Sequence, residues 1–118
     1  MSEPFSIADG PRADGCAILR LRGRMDATTA QQLLARCAEI HAEGLSLVLN
    51  LAYVTFVSST GIGALLTIAE DIREQGGGFR LAAVPEHVRA VFDMLDLTTC
   101  LNVDETESGS LAAIASRK

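Results

Sequence analysis

Three adjacent hydroxyls, Ser58, Ser59 and Thr60, stand directly ahead of Gly61-Ile62-Gly63 and an apolar run. Residues of these types at this place can do two things. They can cap a helix, because a hydroxyl oxygen accepts one of the N–H groups that a first helical turn leaves without a partner. They can also carry a phosphate, since those free N–H groups and the positive end of the helix dipole both favour an anion. A catalytic serine would need a base within reach. The chain has only His41 and His87, both within helical patterns where packing against a sheet is expected, and no G-x-S-x-G elbow.

Other chemistry is thinly represented. Gly61-Ile62-Gly63 begins a G-x-G-x-x-G pattern, but Leu66 fills the third glycine position, and no G-x-x-x-x-G-K-[ST] occurs. Cys16, Cys37 and Cys100 are odd in number, far apart and without a C-x-x-C, so they read as buried free thiols rather than a zinc site or redox pair. No metal and no cofactor is expected. Fifteen acidic against ten basic residues give a net charge of -5. With aromatics at only 4%, that disfavours a nucleic-acid surface built on phosphate contacts and base stacking.

The elements that must position the hydroxyls follow from periodicity. Leu45 to Leu51 is an apolar run of the kind that forms a strand buried on both faces, and a loop from Ala52 leads to the hydroxyls. After them Ile62, Leu65, Leu66, Ala69 and Ile72 form a helical stripe that runs to about Gln75, before Gly76-Gly77-Gly78. Upstream, Phe5 to Ala8 is a short edge strand, a Gly/Pro/Asp-rich turn follows, and Cys16 to Arg22 alternates as a half-buried strand. The spacing of Thr28 and Gln31 marks Thr28 as an N-cap. The helix it opens carries Ala30, Leu33, Leu34, Cys37 and His41 on one face and ends at Gly44.

Phe79 to Val84 alternates again, and Pro85 suits the first position of a helix with Val88, Val91, Phe92 and Leu95 inward. Leu101 to Val103 is a short strand. Thr106 to Ser116 is a last helix, with Leu111, Ala112, Ile114 and Ala115 packing back and Arg117-Lys118 complementing its dipole. A helix between two apolar strands implies a crossover and a locally parallel sheet. The reading is α/β with a small mixed β-sheet, one domain over residues 1–118, its core at about 5–104. No apolar stretch is long enough to span a bilayer, and the first residues lack a signal-peptide pattern, so a cytoplasmic chain without membrane insertion is expected.

Three segments together resemble one known family. Phe56-Val57-Ser58-Ser59-Thr60-Gly61-Ile62-Gly63 is similar to the switch segment of STAS domains, closest to the free-standing bacterial anti-sigma factor antagonists. Gly23 to Ala30 resembles the family's first loop, and Val84 to Thr98 its third helix and following turn. The resemblance implies the STAS fold and a protein that is not an enzyme. Ser59 takes the place of the phosphorylated serine, with Ser58 and Thr60 as fallbacks, and Ser58 stands where the family usually has Asp. It further implies a partner-binding surface of Asp26, Thr28, Ser58, Thr60, Gly61 and Gly63. From the residues alone Asp26 reads equally as an acid at a helix start.

The implied partners are an anti-sigma factor of the serine-kinase type, captured while Ser59 is unphosphorylated, and a PP2C-type phosphatase that resets the switch. Two rivals keep the fold. One is a STAS subunit bound constitutively to the ATPase of an ABC lipid transporter. The other is a sensor that binds a nucleotide or another small ligand at the helix start.

Overall fold

The computed structural model describes residues 5–12 and 15–116. Strand β1 (Ser6–Asp9) pairs antiparallel with β2 (Cys16–Met25). Helix α1 (Ala27–Ala42) then crosses to β3 (Ser46–Val57), and α2 (Ser59–Glu74) crosses to β4 (Phe79–Ala82). Helices α3 (Glu86–Met94) and α4 (Thr98–Leu101) lead to the two-residue β5 (Val103–Asp104), and α5 (Glu107–Ser116) closes the order. The five strands lie in the order β1-β2-β3-β4-β5, parallel from β2 onward. Crossovers that always step in one direction with one hand put their helices on one face. Val88, Phe92 and Leu101 accordingly join the same core as the buried residues of α1 and α2. Ala13, Asp14, Arg117 and Lys118, assigned from the sequence to a turn and a basic tail, lie outside the described residues.

The core is built in rows across the sheet. Leu19, Leu49 and Leu81 stand side by side in register, flanked by the row Ala17, Leu47 and Phe79. Helices α1 and α2 close over them with Leu33, Cys37, Ile40, Leu65 and Ile72. Each large apolar side chain buried this way contributes roughly 1.5–3 kcal/mol. His41, expected on this face, is exposed, and Ile40 takes the inward position. Leu95 is likewise 52% exposed. The helix ends at Met94, so the stripe that includes Val88 and Phe92 stops one turn short of Leu95. Pro85 is the N-cap of α3 rather than its first residue.

Strand β3, at 12 residues, extends well past its apolar run. The segment assigned to a loop, Ala52 to Val57, continues as strand, paired among the described residues with β2 through Arg22↔Tyr53, Gly23↔Val54, Arg24↔Phe56 and Met25↔Val57. Tyr, Val, Thr and Phe suit a pleated ribbon, which explains the extension. Shifts of register between Arg20/Arg22 and Gly23/Arg24 break the alternation that would have revealed it. Gly23, at φ 100, supplies the left-handed backbone that such a bulge needs. Residues Leu101 to Val103 are not a strand as read. Leu101 ends α4, Asn102 turns in the left-handed region at φ 54, and β5 begins at Val103.

The opposite face of the sheet is covered by α5. Ile114 packs on Cys16, Ile18, Val48 and Ala82, and Leu111 lies against the same cluster. This makes β2 buried on both sides over its first half, not half-buried. The helix turns Glu107, Ser110, Leu111 and Ile114 inward, one helical stripe, and leaves Ala112 and Ala115 exposed. The cause is polar. Arg20 donates to both oxygens of Glu107 at 2.9 Å, and Asn50 Nδ2 donates to Glu107 Oε2 at 2.7 Å. Arg80 Nε donates to Asp104 Oδ2 at 2.5 Å, and the buried Ser110 hydroxyl donates to the same oxygen at 2.7 Å. The carboxylates of Asp104 and Glu107 therefore seat the last helix.

Burial acts to raise the Asp104 carboxyl, but hydrogen bonds from Arg80 and Ser110 and the charge of Arg80 outweigh it, so the net shift is downward. A carboxylate whose folded pKa is depressed stabilises above its unfolded value, about 3.9, and that contribution is lost as pH falls through the folded value. Asp104→Asn is expected to lower stability at neutral pH by about 1–2 kcal/mol. It should also flatten the loss of stability below about pH 4, read by denaturant unfolding across pH. An unchanged acid limb would show that Asp104 does not carry this dependence.

Candidate functional site: two helix starts joined at Met25

The site forms where β2 and β3 end side by side and each enters a helix. Asp26 caps α1. Its Oδ1 accepts from the backbone N–H groups of Thr28 and Thr29, both at 3.1 Å, and its own N–H is bound by Thr29 Oγ1 at 2.8 Å. This is a reciprocal capping box on Asp26 and Thr29. It corrects the sequence assignment of the cap to Thr28, which lies exposed in the first turn. The Asp26-x-x-Thr29 spacing carried the signal, and the Asp26 carboxylate outcompetes the Thr28 hydroxyl two residues later. The Thr29 N–H leads in holding the Asp26 carboxyl below its usual range; partial burial opposes, and the Thr29 side chain, the Thr28 N–H and the Arg24 charge assist.

Ser58 caps α2. Its Oγ accepts from Gly61 N at 3.0 Å, and its carbonyl takes the first helical bond from Ile62 N at 2.9 Å. A serine cap of this kind contributes about 1 kcal/mol. The two caps share one hub, Met25, one through a hydrogen bond and the other through the chain itself. The Met25 carbonyl accepts from Ser58 N at 2.9 Å, while Asp26 follows Met25 in the chain. Met25 itself is fully buried, so the joint is rigid.

The three hydroxyls are thereby told apart. Ser58 is half-buried with its oxygen engaged, whereas Ser59 and Thr60 are exposed at the first two helical positions. Their backbone N–H groups have no carbonyl to reach within the helix.

The two glycines also differ. A Cβ at Gly61 would lie 2.8 Å from the Met25 carbonyl oxygen and 3.1 Å from Val57 Cγ1, so this position is where the α2 start presses on the hub. At Gly63 a Cβ would meet nothing within 4 Å. The structure therefore brings together Asp26, Ser58, Ser59, Thr60 and Gly61, with Thr28 and Gly63 on the exposed borders. The Met25 hub, Thr29 and Arg24 were not singled out in the sequence. The carbonyl of Met25 leaves no trace there, because any residue has one.

Neither histidine hydrogen-bonds to the three hydroxyls. Both are exposed rather than partly buried, and His87 Nε2 lies 3.1 Å from the Thr55 carbonyl. Burial pushes the Cys16 thiol up to about 11 and the Cys37 thiol up to about 12, which leaves both protonated and inert at neutral pH. Cys100, expected to be buried, is exposed on α4. Among the described residues no group of His, Cys, Asp and Glu could hold a metal ion, and no helix is long and apolar enough to cross a membrane.

Comparison with known proteins agrees with this architecture. The chain is 28% identical over 103 residues to BtrV of Bordetella bronchiseptica, a candidate anti-sigma factor antagonist, covering 86% of this chain and 89% of that protein. The fold is similar to that of an anti-sigma factor antagonist from Mycobacterium paratuberculosis, at 23% identity and a TM-score of 0.85 over 98% of this chain and 99% of the other. It is also similar to the anti-sigma factor antagonist SpoIIAA. In its unphosphorylated form the identity is 20% and the TM-score 0.80, over 94% and 97% of the two chains. In its phosphorylated form these are 21% and 0.71, over 96% and 100%. The family model for the STAS domain matches residues 9–109. With that match spanning most of its length, the chain belongs to the STAS domain family.

Proposed function

We propose that this chain is a single-domain anti-sigma factor antagonist that acts in the cytoplasm by binding, not by catalysis. Its unphosphorylated form captures an anti-sigma factor of the serine-kinase type on the surface formed by Asp26, Thr28, Ser58, Thr60 and Gly63, while Gly61, expected on that surface, is buried and seats the start of α2 beneath it. That kinase phosphorylates Ser59 and is released, and a PP2C-type phosphatase restores the binding form. The observation that carries this reading is the division of labour at the start of α2. Ser58 Oγ is committed to the Gly61 N–H, while Ser59 stands exposed beside it on a rigid support. Antagonist relatives with the same fold, one of them solved with and without phosphate, support it.

The physics of the switch is local. A phosphate adds about -1.5 to -2 charges and three acceptor oxygens. At the first position of a helix it meets free N–H groups and a favourable dipole, so the fold has no reason to melt. What changes is the surface offered to a partner, where a small hydroxyl becomes a bulky dianion. The test is intact-mass and fragment mass spectrometry of the protein from its native cells, before and after phosphatase. One phosphate mapped to Ser59 is the expected result. A phosphate on Ser58 or Thr60 would move the switch by one residue. No phosphate under any growth condition, together with recovery of a transporter ATPase in place of a kinase, would overturn the reading.

A further inference from the structure

The exposed side of α2 is one continuous stripe. At 3.6 residues per turn, Ser59, Gly63, Leu66, Glu70 and Arg73 fall within about 80° of one another. The opposite stripe, with Leu65, Ile68 and Ile72, is buried. One turn past Ser59, Gly63 leaves the helix backbone bare: a Cβ there would meet nothing within 4 Å. A glycine inside a helix costs about 1 kcal/mol relative to alanine, and no neighbour among the described residues requires one here. Half-buried Leu66 follows, and a groove of about 510 Å³ opens from it toward α4. Leu66, Glu70, Arg73, Glu74 and Cys100 line it. Arg73 reaches across to donate to the Cys100 carbonyl, while Glu70 and Glu74 stand exposed. Helix α4 packs against both α2 and α3, so the exposed Met94 and Leu95 at the end of α3 lie beside the same short helix.

We infer that the anti-sigma partner lays a helix along this stripe. That helix crosses α2 at Gly63, sets an apolar side chain on Leu66 and brings basic side chains to Glu70 and Glu74. This surface deepens the proposed capture of that factor and rests on it. Two helices approach closely only where side chains allow it, and Gly63 supplies such a place. An amphipathic helix docks through side chains at i, i+3 and i+7, the spacing of Gly63, Leu66 and Glu70 on the surface it would meet. Two exposed carboxylates one turn apart, on a chain of net charge -5, select a basic occupant. Glu70 lies about 16 Å along the axis from Ser59, beyond a Debye length of about 8 Å. Basic side chains at Glu70 are therefore not drawn to a phosphate on Ser59. The two parts of the stripe act separately: residues 63–74 supply affinity, and Ser59 supplies the switch.

The experiment titrates the full chain into three labelled peptides. One is an alanine-rich helix with a leucine seam and lysines in its last two turns. The second has glutamates in place of the lysines, and the third is the lysine peptide broken by a central proline. Anisotropy gives affinity, and amide NMR shifts give location. Saturable binding of the lysine helix is expected, with shifts confined to residues 63–74 and Cys100. Glu70→Lys together with Glu74→Lys should weaken it roughly tenfold and give the glutamate helix the higher affinity. Gly63→Ala should weaken it severalfold while raising Tm, which a merely structural glycine would not do. Added salt should weaken binding by the unaltered chain, which keeps the test decisive if a variant folds poorly. Equal binding of the glutamate or proline peptide, shifts elsewhere, or no saturation at millimolar peptide would each overturn the inference. So would a dimer in sedimentation that the charge reversal dissolves, which would assign the stripe to a second copy. A phosphate on Ser59 with no binding in the groove would strike this surface alone. Groove binding by a chain that is never phosphorylated would sustain it and strike the switch.

Discussion

A Ser59→Asp chain is expected to lose its hold on the anti-sigma partner by on the order of a hundredfold, about 2.7 kcal/mol, while unfolding at nearly the same temperature. Ser59→Ala should bind as tightly as the unaltered chain and resist modification. The asymmetry follows from position. Ser59 is exposed at the first turn of α2, where its hydroxyl supports no fold contact. An added carboxylate therefore meets favourable helix N–H groups within the chain and an unfavourable desolvated contact only in the complex. A true phosphate, with nearly twice the charge, should exceed the Asp effect. Isothermal titration against the anti-sigma factor proposed as partner, recovered from native cells, measures both variants. Tight binding by Ser59→Asp would remove Ser59 from the interface, whatever its modification state.

The second large effect separates the two glycines at the start of α2. Gly61→Ala is expected to destabilise the fold by about 1–3 kcal/mol, because the new methyl would overlap the Met25 carbonyl and crowd Val57. The gain in helix propensity, about 1 kcal/mol at most, does not offset a clash with buried backbone. Relief requires the start of α2 to move away from the Asp26 loop, so partner binding should weaken as well. Gly63→Ala meets open space and keeps only the propensity gain, so it is expected to stabilise by up to about 1 kcal/mol. For a chain of this size that is a rise of roughly 4 °C in Tm. Thermal unfolding of the pair decides the matter: shifts of the same sign would show that the hub is softer than the geometry implies.

Much of the architecture was legible because it is written in local patterns. The apolar runs around Leu49 and Leu81, the stripe through Leu65 and Ile72, and the glycines after Gln75 place strands and helices by periodicity alone. The departures share a cause. The loop assigned at Ala52 is strand, because β2 offers a partner that no single-sequence pattern displays, and a bulge at Gly23 hides the alternation. Helix α5 turns Glu107 and Ser110 inward instead of Ala112 and Ala115, because Arg20, Asn50 and Arg80 await them on the sheet. Apolar counting weighs alanine above glutamate and cannot see a partner 87 residues away.

By itself, the sequence determined that three hydroxyls precede a glycine-punctuated helix in an acidic α/β chain, and that the surrounding motifs resemble one family. Capping chemistry and hydrophobic period act over a few residues, so both can be read locally. Only the tertiary structure decided which hydroxyl is committed and which is free, which glycine is pressed and which is open, and that the helix starts at Asp26 and Ser58 meet at one carbonyl. Those outcomes depend on where the ends of β2 and β3 lie relative to one another. That relation is set by the register of two strands some thirty residues apart, and register is a property of the packed sheet rather than of either segment.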